Sequence, residues 1–449
     1  MLHRLTLVTI LSLSLATSAA AQLPGDPFAD LVREGLQQNR GLLQARLGVE
    51  QRKLGVRQAT GALLPTVDID ARWSQFEGIP DIGDFVNPAY AALNQLTGTN
   101  QFPTDISQPL LFNQDMRVRG VLPLFVPEAY ANIALQKSLR DAEAGRTAAA
   151  ERQLAAGVQF AALRVAIADR AIVIYREALE LLDENLRVTE RLVAAGTATP
   201  DAVARSRAER SEAAQRLHEA ERERADAARA LNELLRRPLD TPVPALPDSV
   251  VATAPALDSV AALEAARTRR EELVASAALE RAAKAQQQLA GASFLPTIAL
   301  AADYGFQGTE LQFTSDNDFV IGSVVLRWNL FSGGRDLARR QSASLERRRT
   351  ALATEETVVK VEREVLAAVD GVQTSWRAIT TANDRLAAAR RAFELVTRRY
   401  EEGLAPHLEY SDARVQYTTA ELNAALTRFT YAARLVELER ATATRSMSI

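Results

Sequence analysis

Cysteine is absent from all 449 residues. That excludes disulfides, thiolate metal sites, cysteine nucleophiles and a lipid anchor on an N-terminal cysteine. Histidine is nearly absent too: His3, His218 and His407 are too few and too scattered for a metal site. Neither sign of charge dominates. The formal net charge is −3 with 24% charged residues, so no basic field points to nucleic acid. There is no glycine-rich phosphate loop after a strand, no metal-ligand spacing and no nucleophile motif, so neither an enzyme nor a bound cofactor or metal is expected. No stretch offers 18 consecutive apolar residues, so no transmembrane helix is expected and any membrane role must come from strands.

Ala, Leu, Arg and Glu are abundant, the composition of long helices. The N-terminus reads as a signal peptide over residues 1–21: His3 and Arg4 precede an apolar run from Leu5 to Leu15, and Ala19, Ala20 and Ala21 stand before Gln22.

The rest of the chain repeats itself. Leu64-Pro65-Thr66-Val67 in one half answers Leu295-Pro296-Thr297-Ile298 in the other, each after an Ala- and Gln-rich helical stretch. Each half then runs through a second strand ending in Leu-Phe (Leu124-Phe125 and Leu330-Phe331), a long helix closed by a glycine, and a shorter return helix. The first repeat spans 22–236, with strands about 65–76 and 115–126, a long helix about 128–195 and a return helix about 199–236. A proline-rich linker covers 237–258. The second repeat spans 259–449, with strands about 296–307 and 318–331, a long helix about 334–402 and a return helix about 406–445.

The strands alternate. Val67, Ile69, Ala71 and Trp73 share one face and Asp68, Asp70 and Arg72 the other; Ile298, Leu300, Ala302, Tyr304 and Phe306 share a face in the second half. Aromatic ends suit a membrane interface, although a soluble sheet packed on a helix would alternate as well. Residues 77–114, with Pro80, Pro88, Pro103 and Pro109, read as a long loop, and residues 309–317 as a short one.

The long helices carry heptads. Val158, Val165, Ile172, Leu179, Leu186 and Val193 recur every seventh residue, with Ala161, Ala168, Tyr175, Leu182 and Thr189 three positions on. Val358, Val365, Val372, Ile379, Leu386, Phe393 and Tyr400 repeat the row, with Val361, Ala368, Ser375, Ala382, Ala389 and Val396 as its companion. This is a coiled-coil seam. Gly196 and Gly403 sit where glycine stops a helix. Thr199-Pro200 reads as an N-cap followed by proline at the first helical position, and Ala405-Pro406 repeats the proline without the hydroxyl. Each half thus makes a helical hairpin with a tight tip. Four strands cannot close a barrel in lipid, because an open edge leaves backbone groups unpaired. Other copies must complete them, and arithmetic alone does not choose between two copies and three.

Over essentially the whole mature chain this pattern resembles the TolC-like outer-membrane efflux proteins. The most specific element runs from Tyr400 through Gly403 to Glu409, Asp412 and Ala413: a tyrosine, the tip glycine, then two acidic residues three apart followed by alanine. The Leu330-Phe331-Ser332-Gly333-Gly334 run is similar to the family's strand-to-helix junction.

The resemblance implies a mainly α fold with a small membrane β-barrel contribution: a duplicated helix-strand-strand-helix-helix unit that makes a 12-stranded β-barrel and a trimeric α-barrel. It implies an outer-membrane exit duct of a tripartite efflux or type I secretion system, passive, with its helical barrel in the periplasm. Its partners would be two further copies, outer-membrane lipid, a periplasmic adaptor and an inner-membrane pump of the RND or ABC type that open it at the tip.

Glu409 and Asp412 would line the pore constriction. Tyr400 would belong to the periplasmic gate, and Gly196, Thr199, Pro200, Gly403, Leu404 and Pro406 would form the tip turns that meet the adaptor. This chain departs from the family where the gate arginine would stand, at Ala405, and where its acidic partner would align, at Ala202. Asp201 is one residue off, and a substitute bond from Asp201 to Tyr400 is expected. The competing reading is a coiled-coil scaffold of the periplasm, which leaves the aromatic-ended strands without a purpose. A periplasmic adaptor would carry one hairpin flanked by β-rich domains, and this chain has two hairpins.

Overall fold

The computed structural model describes residues 28–76, 81–107, 112–245 and 257–445. The signal peptide expected over 1–21 and residues 246–256 of the proline-rich linker lie outside the described residues.

Each half opens on a pair of helices where the sequence suggested one. In the first half α1 (Ala29–Gln38) and α2 (Arg40–Gly61) are broken at Asn39, whose backbone is extended at φ −66° and ψ 119°. In the second, α6 (Ser259–Arg269) and α7 (Glu271–Ala292) are broken at Arg270, with φ −62° and ψ 122°. The repeated break is set by what each residue bonds. The Asn39 side chain accepts the Leu42 N–H and caps α2. The buried Arg270 guanidinium donates to Glu272, to Glu364 and to the Ala441 carbonyl, so it ties this corner to two distant helices.

Four antiparallel strands follow in chain order: β1 (Thr66–Trp73), β2 (Gln114–Phe125), β3 (Thr297–Gly308) and β4 (Asp318–Arg327). The β2–β3 pairing joins the two halves, leaving β1 and β4 as edges. Register sorts the side chains by face. Ile69, Val118, Tyr304 and Val320 align in one row across the sheet; Asp68, Arg119 and Asp303 align in the next. On the polar face the Arg119 guanidinium grips both Asp303 oxygens, at 2.7 and 3.2 Å. The apolar face is uncovered: Ile69 is 77% exposed, Val320 77% and Val324 72%. At the Arg117–Gly305 pair a Cβ would stand 2.3 Å from the Met116 carbonyl oxygen, so only glycine fits.

β4 stops at Arg327, short of the expected Phe331. Arg327 pairs with Thr297, the first residue of β3, so β3 offers it no further partner. The 77–114 segment also differs from the expected loop, because Ile82–Thr97 folds as a helix, α3. A reciprocal Asp81–Asp84 capping box starts it and a left-handed Gly98 ends it. Asn87 and Asn94 then clamp the backbone of Ile106 and Phe102 back onto it.

The long helices are α4 (Pro127–Ala194), 68 residues, and α8 (Arg335–Glu401), 67 residues. At 1.5 Å per residue each is roughly 100 Å long. Their return helices are α5 (Pro200–Leu235) and α9 (His407–Thr442). In α8 most of the expected seam is buried, through Val361, Val365, Ala368, Val372, Ser375, Ile379, Ala382, Phe393 and Tyr400, while Val358, Leu386, Ala389 and Val396 are half-buried. In α4 the upper part is buried, through Val158, Ala161, Val165 and Ala168. Farther down Leu182 and Thr189 are buried, but Ile172, Leu179, Leu186 and Val193 are half-buried, and Ala178 and Asn185 take the inner positions.

The main core lies where the halves meet: Val32 and Leu36 of α1, Val158, Leu163 and Val165 of α4, Leu231 and Leu235 of α5, and Phe429 of α9. Beside it the buried Arg152 of α4 bonds Glu271 of α7 at 2.6 Å and Glu439 of α9 at 3.0 Å. Among the described residues, no helix is long and apolar enough to cross a membrane.

Candidate functional site

The two hairpin tips are built alike. In α4 the Gly196 N–H reaches the Val193 carbonyl and the Thr197 N–H the Leu192 carbonyl, each at 3.0 Å. In α8 the Gly403 N–H reaches Tyr400 at 3.0 Å and the Leu404 N–H reaches Arg399 at 2.7 Å. Both are Schellman closures, and both need left-handed backbone, with φ 75° at Gly196 and 73° at Gly403. Pro200 sits at the first position of α5. Thr199 does not cap the backbone as expected. Its hydroxyl instead helps to hold the nearby Asp201 carboxyl below its ordinary range, with Arg205 adding to the effect. At the second tip α9 starts at His407, so Pro406 is the residue before the helix rather than its first. Leu404 and Leu408 are exposed there.

Above the second tip an aromatic ladder binds α8 to α9. Phe393 stacks on Tyr417 with centroids 5.5 Å apart, and Tyr400 stacks on Tyr410 at 4.9 Å. Burial pushes the Tyr410 hydroxyl up to about 12. Tyr400 is buried against Tyr410 and Ala405. Its hydroxyl lies 3.2 Å from Thr189 Oγ1 on α4 and 3.3 Å from His407 Nδ1. Asp201 is solvent-exposed and pairs with Arg205 at 3.4 Å. The expected Asp201–Tyr400 bond is therefore not formed within the protomer, because the Tyr400 hydroxyl is turned inward to Thr189 and His407.

Glu409 and Asp412 stand three residues apart on one face of α9, in or beside its first turn. Glu409 is also engaged by Arg399 of α8 at 2.6 Å, a partner that sequence reading missed. Asp412 is exposed and accepts from the Gln416 amide at 3.0 Å.

Sequence reading also missed what joins the two hairpins. Glu209 of α5 accepts from the Ser411 hydroxyl at 2.6 Å and from Arg414 at 3.3 Å, both on α9. His407 Nε2 lies 3.5 Å from the same carboxylate. Thr189 was visible as a seam residue; Glu209 and Arg414 look in sequence like any solvated helical charge.

The comparisons agree with this arrangement. Residues 262–444 match the family described as "Outer membrane efflux protein". The outer membrane protein OprJ of Pseudomonas aeruginosa is 28% identical over 298 residues, which cover 64% of this chain and 60% of that protein. The family match thus falls on the second half of the chain, and the chain spans about 60% of the length of the curated relative that it resembles.

Solved structures bear out the TolC-like fold. The outer membrane protein VceC of Vibrio cholerae superposes with a TM-score of 0.78 at 18% identity, over 92% of this chain and 95% of that one. The CmeC outer membrane channel of Campylobacter jejuni gives 0.77 at 17%, over 93% and 85%. The MtrE outer membrane channel of Neisseria gonorrhoeae in its open state gives 0.74 at 23%, over 93% and 88%. These likenesses are to outer-membrane proteins and channels, and the fold is shared over more than nine-tenths of this chain.

Proposed function

We propose that this chain is one third of a passive outer-membrane exit duct, serving a tripartite efflux or type I secretion system. The observation that carries the reading is the four-stranded sheet. One face is apolar and uncovered, the other is lined by paired charges, and both edges are open. A sheet of that kind is at rest only as a segment of a closed barrel with lipid outside and water inside. Three copies, the number found in TolC-family channels, make a barrel of twelve strands.

The helices carry the same requirement. Leu345, Leu352, Val359 and Leu366 recur every seventh residue on α8 and are all exposed in the lone protomer, as are Leu43, Leu47 and Leu54 on α2. Such stripes fit further copies closing a helical barrel beneath the sheet. At its far end, Glu409 and Asp412 form two rings of three carboxylates, which favour cations at the constriction. The exposed Leu404 and Leu408 at the tip, with Gly196, Thr199, Pro200, Gly403 and Pro406, offer a periplasmic adaptor its contact. The energy for transport then comes from an RND- or ABC-type inner-membrane pump.

Single-channel recording in planar bilayers tests the reading. Wild type should give small cation-selective steps, and Glu409→Ala/Asp412→Ala should conduct with that selectivity reduced. A well-folded protein that forms no channels would return the reading to a periplasmic scaffold.

A further inference from the structure

At the end of the sheet nearest the long helices, its uncovered apolar face runs onto a group of cations. Register puts Val320, Val324 and Leu326 of β4 on that face, and Trp328 continues it past the end of the strand. The Trp328 indole N–H donates to the Phe294 carbonyl at 3.1 Å, which ties the indole to the turn between α7 and β3. Arg340, in the second turn of α8, lays its guanidinium over the Phe294 ring, 5.9 Å from the centroid. Two turns farther along α8, Arg347 donates to Gln287 of α7 at 3.2 Å. Lys284 stands one turn from Gln287 on the same face of α7. Trp328, Phe294 and the three cations thus form one strip, apolar at the sheet and basic beyond it. All five residues are exposed.

The cations of this strip have kept their charge for something else. Among the described residues, Arg340, Arg347 and Lys284 form no ion pair with a carboxylate. Their neighbours do: Arg339 pairs with Asp336 and Arg349 with Glu346. Nor does the duplication require the strip. Counting from the repeated Leu-Pro and Leu-Phe, Phe294, Trp328 and Arg340 are answered in the first half by Leu63, Leu122 and Ala134. The counterpart of Lys284 is Lys53, which Glu50 neutralises at 2.7 Å. Contact between copies does not draw on it either. Leu345 and Leu352, the start of the row assigned to another copy, lie on the far side of α8 from Arg340 and Arg347, at about 100° per residue.

We propose that this strip binds an anionic phospholipid of the periplasmic leaflet, of the phosphatidylglycerol class. The proposal rests on the duct reading, which puts the sheet in lipid and the helices in the periplasm. The acyl chains lie along Leu326 and Trp328, and an indole is at home where chains meet headgroups. The phosphate meets Arg340, whose planar fork can hold two of its oxygens at once. The Phe294 ring keeps that fork at the lipid edge by attraction between cation and ring face. Arg347 is roughly 10 Å farther along α8. The polar layer beneath the hydrocarbon is roughly 5–7 Å deep, so Arg347 and Lys284 face the outer end of the headgroup. Three cations there repel the ammonium of a zwitterionic headgroup and favour one with net negative charge.

Native mass spectrometry of the full-length protein in a non-ionic detergent tests the site. Wild type should retain one phosphatidylglycerol per protomer, in preference to phosphatidylethanolamine with the same chains on the order of tenfold. Arg340→Gln/Arg347→Gln should bring that ratio to within about twofold, with circular dichroism unchanged. Arg340→Lys/Arg347→Lys, which keeps the charge, should restore much of it. Trp328→Ala should weaken both lipids alike and leave the ratio in place. Arg349→Gln, which removes a cation from the opposite face of α8, should behave as wild type.

Wild type that does not distinguish the two headgroups, or a preference that survives Arg340→Gln/Arg347→Gln, overturns the site. Planar-bilayer recording of the same samples separates this from the duct. Channels without a headgroup preference overturn the site alone. A preference lost in the glutamine variant, in a protein that never conducts, upholds the site and overturns the duct.

Discussion

At the scale of single residues, this chain closes its tips by backbone geometry and its hairpins by polar contacts. Gly196 and Gly403 have open space where a Cβ would stand, so it is their left-handed φ, not crowding, that demands glycine. Gly403→Ala should therefore cost about 1 kcal/mol or more. Gly403→Asn should cost less, because asparagine tolerates this backbone. Apparent melting temperatures ordered wild type, Asn, Ala would bear this out; equal values for Asn and Ala would show that something other than φ sets the cost. Ala405 and Ala202, where the resemblance would put a charged pair, are both buried. The polar contacts between the hairpins are made instead by Thr189, Glu209, His407 and Arg414.

At the scale of elements, the sheet and the helices solve different problems. A helix satisfies its own backbone and can end in water; a strand needs a neighbour on each side. The alternation of β1 to β4 gives each face one environment, so substitutions should act by face. Val324→Arg on the apolar face should cost about 2–4 kcal/mol in the bilayer, seen as loss of heat-resistant, membrane-inserted protein. Arg119→Lys on the polar face should insert normally and alter only conductance, by replacing the two-oxygen grip on Asp303 with a single contact. Equal insertion of both variants would remove the lipid-facing assignment.

At the scale of the whole molecule, one protomer is visibly unfinished. Among the described residues its sheet has two unpaired edges, and α8 displays an exposed heptad row. Leu352→Glu/Val359→Glu should leave the helix content of the protomer unchanged while lowering the fraction of trimer, measured by native mass spectrometry alongside circular dichroism. Intact trimers from this variant would mean that the α8 row faces something other than a second copy.

Local rules were enough to read much of this from the chain. Period-two alternation placed four strands, heptads placed two long helices, and glycine and proline placed the tips, because each depends on residues within a few positions of one another. The duplication was legible for the same reason. The breaks at Asn39 and Arg270 were not, since each depends on what the side chain bonds, and for Arg270 those partners come from two distant helices. Helix α3 was hidden because prolines in and around it read as loop, whereas its capping box and asparagine clamps decide the matter.

The lower part of the α4 seam shifted for a related reason. A heptad row shows that a helix has an apolar face; only packing decides which residues of that face meet α5 and which are left for another partner. Glu409 found Arg399 and Glu209 found His407 by the same route. Charges on a helix look alike in sequence, and their roles are assigned by whichever helix the fold lays beside them. By itself, then, the sequence determined the four strands, the long and return helices, their order and the tips; the tertiary structure alone decided the helix breaks, helix α3 and which polar groups hold the hairpins together, because those contacts form between segments far apart along the chain.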